Sequence, residues 1–311
     1  MNINQSKFSL ADLLTILAAI AFGFVCFLST NFFTLGDTWQ SVFLSLVITV
    51  LLAGLALGAK LLKRTSRNFK TSFVWEMILL VLFVGFSIFF SYISFPHFFT
   101  VSAQKDEIQN KLMASINQAE NMFAEYEYYA ENRENLFKNK LISVVNSKGI
   151  NPSEYSDYGF ENNGVSDEKQ IETKMFTVHA DLFPSNYNEM KTKDSIWLIN
   201  SKTIIEKWNP FGLIKVMNSI EHNSKEWLAE LISLSSIREK SEQTEDFTYN
   251  LTFEDVKTHF TKRGNPTPFT IGLAVISYIL MLLSWFITKR HTRFPGIKII
   301  FGFGKNADNE L

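Results

Sequence analysis

Four stretches of the chain, Leu13 to Leu28, Ser41 to Leu62, Phe73 to Phe95 and Pro268 to Ile287, are apolar over most of their length. A helix needs about 20 such residues to cross a hydrocarbon core of about 30 Å, so each stretch reads as a transmembrane helix. Three lie in the first third of the chain and one near its C-terminal end, leaving a polar insert between them. The predicted architecture is an α-helical polytopic membrane protein with four transmembrane helices and an α+β, mainly helical, periplasmic domain. Three of the helices fall in residues 1–95, the periplasmic domain in 96–266, the fourth helix in 267–288 and a cytoplasmic tail in 289–311.

Whole-chain averages, 46% hydrophobic and a formal net charge of −1, hide this division. Residues 96–266 carry 19 Lys and Arg against 26 Asp and Glu, whereas the remainder carries 11 against 5. Lys60, Lys63, Arg64, Arg67 and Lys70 fill the link between the second and third stretches, and Lys289, Arg290, Arg293 and Lys298 follow the fourth. The link from Asn31 to Gln40 has no Lys or Arg. Basic loops stay on the cytoplasmic side, so both termini are expected there, with the insert on the far side of the membrane. Lys7 before an apolar run resembles a secretion signal, but Ser29-Thr30-Asn31 offers no small-residue cleavage site, and the first stretch is expected to be retained. Ser9 and Asp12 have the spacing of a capping box, which would start that helix near Ser9. Cys26 is the only cysteine, so the insert has no disulfide. The Lys- and Asn-rich vocabulary suggests a bacterial inner-membrane protein, multi-pass, in contact with the lipid bilayer.

Within the apolar stretches, Gly54 and Gly58 form a G-x-x-x-G pair flanked by Ala53, Ala56 and Ala59. Small residues at this spacing let helices approach closely in lipid, either within the chain or in an oligomer. Glu76 is the acidic group of the third stretch, and an intramembrane ionisable residue can mark a proton path. It lies about one turn in from the cytoplasmic end, as Asp12 does, so both read as interfacial anchors that reach headgroup water or pair with Lys63, Arg64 or Lys70.

In the insert, Ile108, Leu112, Ile116, Ala119, Met122, Tyr126 and Leu141 mark a long helix from Gln104 to about Asn146. Pro96 is expected to kink or break the connection to the third stretch. Gly149 to Gly164 reads as a loop, and Met175–Leu182, Ser195–Ile199 and Phe247–Thr252 as short strands. Asn209-Pro210 signals the start of a second long helix that runs to about Arg238, and Phe253–Thr261 a short final one. Tyr126, Tyr128, Tyr129, Trp197, Trp208 and Trp227 are expected in the core more than around a ligand.

Enzyme signatures are absent: no nucleophile elbow, phosphate loop, zinc-protease helix or dinucleotide fingerprint. His97, His179, His222, His259 and His291 are scattered without ligand spacing, so neither metal nor cofactor is expected. The acidic insert argues against nucleic acid as a partner. In the tail, Ile297, Ile299 and Phe301 alternate as a short strand, which needs the sheet edge of a partner because lone strands are unstable.

Two functional readings follow. One is a non-catalytic scaffold subunit of an envelope-spanning assembly, an oligomer working with other envelope proteins of a membrane complex. The other is a periplasmic ligand sensor that signals through a separate partner, since no kinase, cyclase or chemotaxis output segment follows the fourth stretch. The order of three clustered spans, an exported segment, one more span and a short tail resembles the TssN family, inner-membrane components of the type VI secretion apparatus of Bacteroidetes. That resemblance covers the whole chain and implies a subunit of a trans-envelope protein secretion complex without catalysis.

Overall fold

The computed structural model describes residues 9–64, 69–238, 242 and 244–290. It divides into two compact units, one of residues 1–105 and 257–311, the other of Asp106–Val256.

The first unit contains α1 (Leu10–Phe33), α2 (Thr38–Arg64), α3 (Phe69–Ala103), α9 (Lys257–Thr261), α10 (Pro268–Met281) and α11 (Leu283–Ile287). The helices α1 to α3 are each long and apolar enough to cross a membrane. The Asp12 carboxylate accepts from the Ser9 amide at 2.8 Å and the Ser9 hydroxyl at 2.9 Å, so α1 begins where its capping residues place it.

Residue polarity in this unit runs opposite to that of a water-soluble bundle. Thr15, Ser87, Ser91, Ser94 and Ser284 are buried, whereas Leu17, Ile20, Phe43, Val50, Val81, Ile88 and Phe89 face outward. Lipid leaves no hydrophobic gain for burying Leu, but it penalises unpartnered hydroxyls, so small polar residues turn inward. The Tyr278 hydroxyl, for example, reaches the Ser87 carbonyl at 2.9 Å and the Ser91 hydroxyl. Ala19, Phe22, Cys26, Ile48, Leu52, Ala56, Phe83, Phe95 and Met281 fill the space between the helices.

Two expectations for this unit are corrected. Pro96 does not end its helix: α3 continues to Ala103, and the chain first turns at Gln104, whose amide reaches the carbonyls of Thr100 and Val101. The turn around Pro96 is held by packing, with Phe95 against Phe22 and Phe99 against Phe269, ring centroids 5.2 and 5.3 Å apart. Neighbouring helices commonly compensate a proline in this way. The fourth apolar stretch, in turn, is not one continuous helix but α10 of 14 residues and α11 of 5, broken at Leu282. The Ser284 amide beyond the break donates to Thr15 Oγ1 at 3.3 Å, so the irregular backbone is buried and satisfied.

The second unit contains α4 (Lys105–Asn146, its first residue lying in the first unit), α5 (Pro152–Asp157), α6 (Asp167–Leu182), α7 (Tyr187–Glu206), α8 (Pro210–Ser236) and an extended segment that follows α8. One stripe of α4, from Ile108 through Tyr126 to Val144, is buried along its length, as its three-and-four spacing requires. Asn209 Oδ1 caps α8 by accepting from the Phe211 and Gly212 amides at 3.1 and 3.4 Å. Tyr126 is fully buried among Tyr129, Phe183, Tyr187 and Phe247 and donates to the Leu182 carbonyl at 2.9 Å.

The α+β expectation for this domain is corrected: no strand occurs among the described residues. Met175–Leu182 lies in α6, Ser195–Ile199 in α7, and Phe247–Thr252 forms neither helix nor strand. Each reading rested on a short β-branched or aromatic run, which cannot be told from part of a longer helix by composition. The longer pattern decides: Tyr187, Asp194, Leu198, Ser201 and Ile205 are the buried positions of α7, one helical face.

Candidate functional site

Polar chemistry concentrates in three places, one in the first unit and two in the second. In the first unit, the start of α1, the end of α2, the start of α3 and the end of α11 bring buried charges together. Asp12, 3% exposed, pairs with Lys60 and accepts from the Ser284 hydroxyl. Glu76, fully buried, accepts from Trp285 Nε1 at 2.9 Å and Arg290 Nη2 at 2.8 Å through Oε1. Its Oε2 lies 2.8 Å from Arg290 Nη1, an ion pair too poorly angled to be a hydrogen bond. Lys63 donates to the Trp285 carbonyl at 2.8 Å and stands 4.1 Å from the centroid of the same ring.

Both carboxylates are buried and paired with a base of the same unit. Asp12 pairs with Lys60 and Glu76 with Arg290, two bases that the sequence does not single out as their partners. Lys60 follows Ile48, Leu52, Ala56 and Ala59 on the buried face of α2, whereas Lys63 lies three residues further round. A buried acid demands a base on a facing helix, a signal the sequence carries but does not assign to a particular pair.

The G-x-x-x-G pair is split by the structure. A Cβ on Gly58 would meet Leu79 Cδ1 of α3 at 3.2 Å, while one on Gly54 would meet nothing within 4 Å. A tighter contact falls at Gly23 of α1 against α2, where a Cβ would sit 1.8 Å from Thr49 Oγ1 and 3.3 Å from the Ser45 carbonyl. An isolated glycine in an apolar run has no motif to announce it. The strand positions Ile297, Ile299 and Phe301 lie outside the described residues.

In the second unit Arg133, 2% exposed, projects from α4 into a closed network. Its Nε and Nη2 donate to the two Glu242 oxygens at 2.5 and 2.9 Å, Nη1 to the Ser235 carbonyl at 2.6 Å and Nη2 to the Ile237 carbonyl at 2.5 Å. Those carbonyls end α8, where the helix leaves acceptors without partners. Burial works against the guanidinium charge, but pairing with Glu242 outweighs it and raises the Arg133 pKa.

The third place is a cleft between α7 and α8 with a volume of about 520 Å³, within the range of small-ligand pockets. Glu189, Lys193 and Asp194 line it from α7, Glu226, Trp227 and Glu230 from α8. Asp194 is 6% exposed, and its Oδ2 has no hydrogen-bond partner. Burial and the nearby Glu230 push its pKa up to about 6 against the pull of Lys193 and the Trp227 side chain. Asp194 has no motif to announce it, since in sequence it stands beside Lys191 and Lys193 like an ordinary surface carboxylate, and only the fold buries it.

The histidines serve local roles. His97 Nδ1 faces the Lys262 carbonyl at 3.2 Å, His179 pairs with Glu134 at 2.8 Å, His222 approaches Glu226 at 3.9 Å and His259 faces Gln104 at 3.0 Å. Among the described residues no group of three metal-binding side chains converges. Comparison with known protein families, with curated proteins and with solved structures finds no match.

Proposed function

We propose that the protein is a non-catalytic inner-membrane scaffold subunit of a multi-protein, envelope-spanning assembly. The type VI secretion apparatus, whose TssN family the topology resembles, is the assembly that best fits this order of segments. In this reading α1, α2, α3 and the α10–α11 pair are four passes, with both chain ends in the cytoplasm and the second unit in the periplasm. The basic residues around 60–70 and 289–298 support that orientation. The gathering of Asp12, Lys60, Glu76 and Trp285 at one end of the helices supports antiparallel passes with both chain ends on the same side.

The observation that carries the scaffold role is the outer surface of the second unit. Ile150 is 90% and Phe176 73% exposed, and Ile196, Ile199 and Phe211 are each more than half exposed. Ile196 and Ile199, three residues apart on α7, lie side by side on its exposed face, and adjoining apolar side chains in water are the kind of surface that a partner covers. Photocrosslinkers at positions 176 and 199 in native membranes are expected to capture a discrete envelope protein, and one at Lys225, on a charged face, none. A protein that yields no adduct at either apolar position would refute the scaffold role.

Ligand sensing by the second unit is a second reading, favoured by the cleft at Asp194. A small molecule that stabilises the full chain thermally would favour it, and co-purification with envelope proteins favours assembly.

A further inference from the structure

The cleft between α7 and α8 combines three properties. It is lined by the carboxylates of Glu189, Asp194, Glu226 and Glu230 with Lys193 as the cation. One of those carboxylates is enclosed, with an oxygen that no protein donor meets. Its wall includes Trp227, whose ring is braced by Phe123 and Trp197 at 5.9 and 5.7 Å.

An enclosed carboxylate oxygen without a donor is costly unless something supplies one. Metal is a poor fit, because no three ligating side chains converge there among the described residues. An ammonium or guanidinium group fits better. It brings the missing N–H donor and a positive charge, and an aromatic wall favours such cations.

We infer that this cleft binds a small organic cation, an alkylammonium or guanidinium group that donates to Asp194, with Glu230 and Glu226 contributing charge and Trp227 the aromatic wall. This goes beyond the scaffold reading and does not rest on it.

The charges that act on Asp194 are Glu230 and Glu226 from α8 and Lys193 from α7, with the Trp227 side chain as a donor. Glu189 also lines the cleft, and the Tyr187 hydroxyl at its floor points to Glu127 of α4 at 3.3 Å. Because Asp194 ionises near pH 6, its carboxylate is present at pH 7.5 and largely protonated at pH 5. Cation affinity through this group should therefore fall by about tenfold between those values.

The test uses the purified full chain in a neutral maltoside detergent, with putrescine as probe and 1,4-butanediol as the uncharged control, read by saturation-transfer NMR. Putrescine is expected to bind at pH 7.5 and about tenfold more weakly at pH 5. Asp194→Asn should weaken binding at least tenfold and Glu230→Gln, at an exposed position, about threefold, while butanediol gives no transfer. The inference is overturned if the wild-type chain does not bind putrescine, if Asp194→Asn binds it equally well with unchanged helical circular dichroism, or if butanediol binds as well. Crosslinking at Phe176 and Ile199 reads the scaffold role separately, so either idea can fail alone.

Discussion

Replacing Arg133 by Met tests the buried network of the second unit. The substitution keeps the aliphatic bulk on α4 but removes all four hydrogen bonds, two to Glu242 and one each to the carbonyls of Ser235 and Ile237. Glu242, whose side chain is 1% exposed, would then be an enclosed charge with, among the described residues, the Thr244 hydroxyl at 2.9 Å as its side-chain donor. Removing one partner of such a pair costs about 3–5 kcal/mol, because the other cannot regain water without opening the fold. The loss should be local, confined to the end of α8 and the extended segment after it. The Phe247 amide, which donates to Ser235 Oγ at 2.9 Å, is a direct reporter. A destabilisation of about 3 kcal/mol or more corresponds to roughly a hundredfold faster hydrogen exchange at that amide, if exchange follows local opening. Arg133→Met combined with Glu242→Met should recover more than half of the loss, since two apolar side chains leave no stranded charge. Exchange at Phe247 within about twofold of wild type in the single variant would refute the reasoning, because it would mean that the segment is not held by this pair.

In the first unit, Lys60→Met should strand Asp12 and lower thermal stability in detergent, and Asp12→Asn added to it should restore most of the loss; equal stability of the two variants would exclude a net contribution from the pair. Gly23→Val should destabilise by about 1–3 kcal/mol through overpacking against Thr49, whereas Gly54→Val should be close to neutral, both read from melting of the purified protein. Asp194 supplies a pH test whose sign is unusual for a carboxylate. Its folded pKa of about 6 lies above the ordinary carboxylate value of 3.8, so the folded state holds the proton more tightly and stability falls as pH rises from about 4 to 6. The full shift is on the order of 3 kcal/mol, so Asp194→Asn should stabilise α7 and α8 at pH 7.5, with hydrogen-exchange protection factors there, corrected for the intrinsic rate, no longer changing between pH 4 and 6.

Local signals did much of the work in this chain. Ser9 with Asp12 and Asn209 with Pro210 start their helices where expected, because a cap is made by residues within a few positions of one another. The same chemistry operates at Asn151-Pro152, which opens α5 within the Gly149–Gly164 stretch, and at Ser166, whose hydroxyl accepts from the Lys169 amide at 3.4 Å to begin α6. Reading that cap together with Asp167 and Glu168 in the first turn would have replaced the strand at 175–182 by a helix. Of the aromatics expected in the core, Tyr126 and Trp227 are buried, whereas Tyr128 points outward and is 70% exposed, because only the fold fixes which side of α4 faces its neighbours.

The sequence by itself determined the apolar helices, the acidic insert between them and the helical stripe of α4, since each follows from composition and period along a single segment. Which charge meets which was decided by the tertiary structure alone. Lys60 and Lys63 differ by three residues in sequence, yet one faces Asp12 and the other Trp285. Arg133 and Glu242 are 109 residues apart, and Gly23 is a contact point only because Thr49 lies across from it. Such pairings depend on the rotation and registry of whole helices. Those are set by the sum of many packing contacts and leave no trace in the spacing of any one segment.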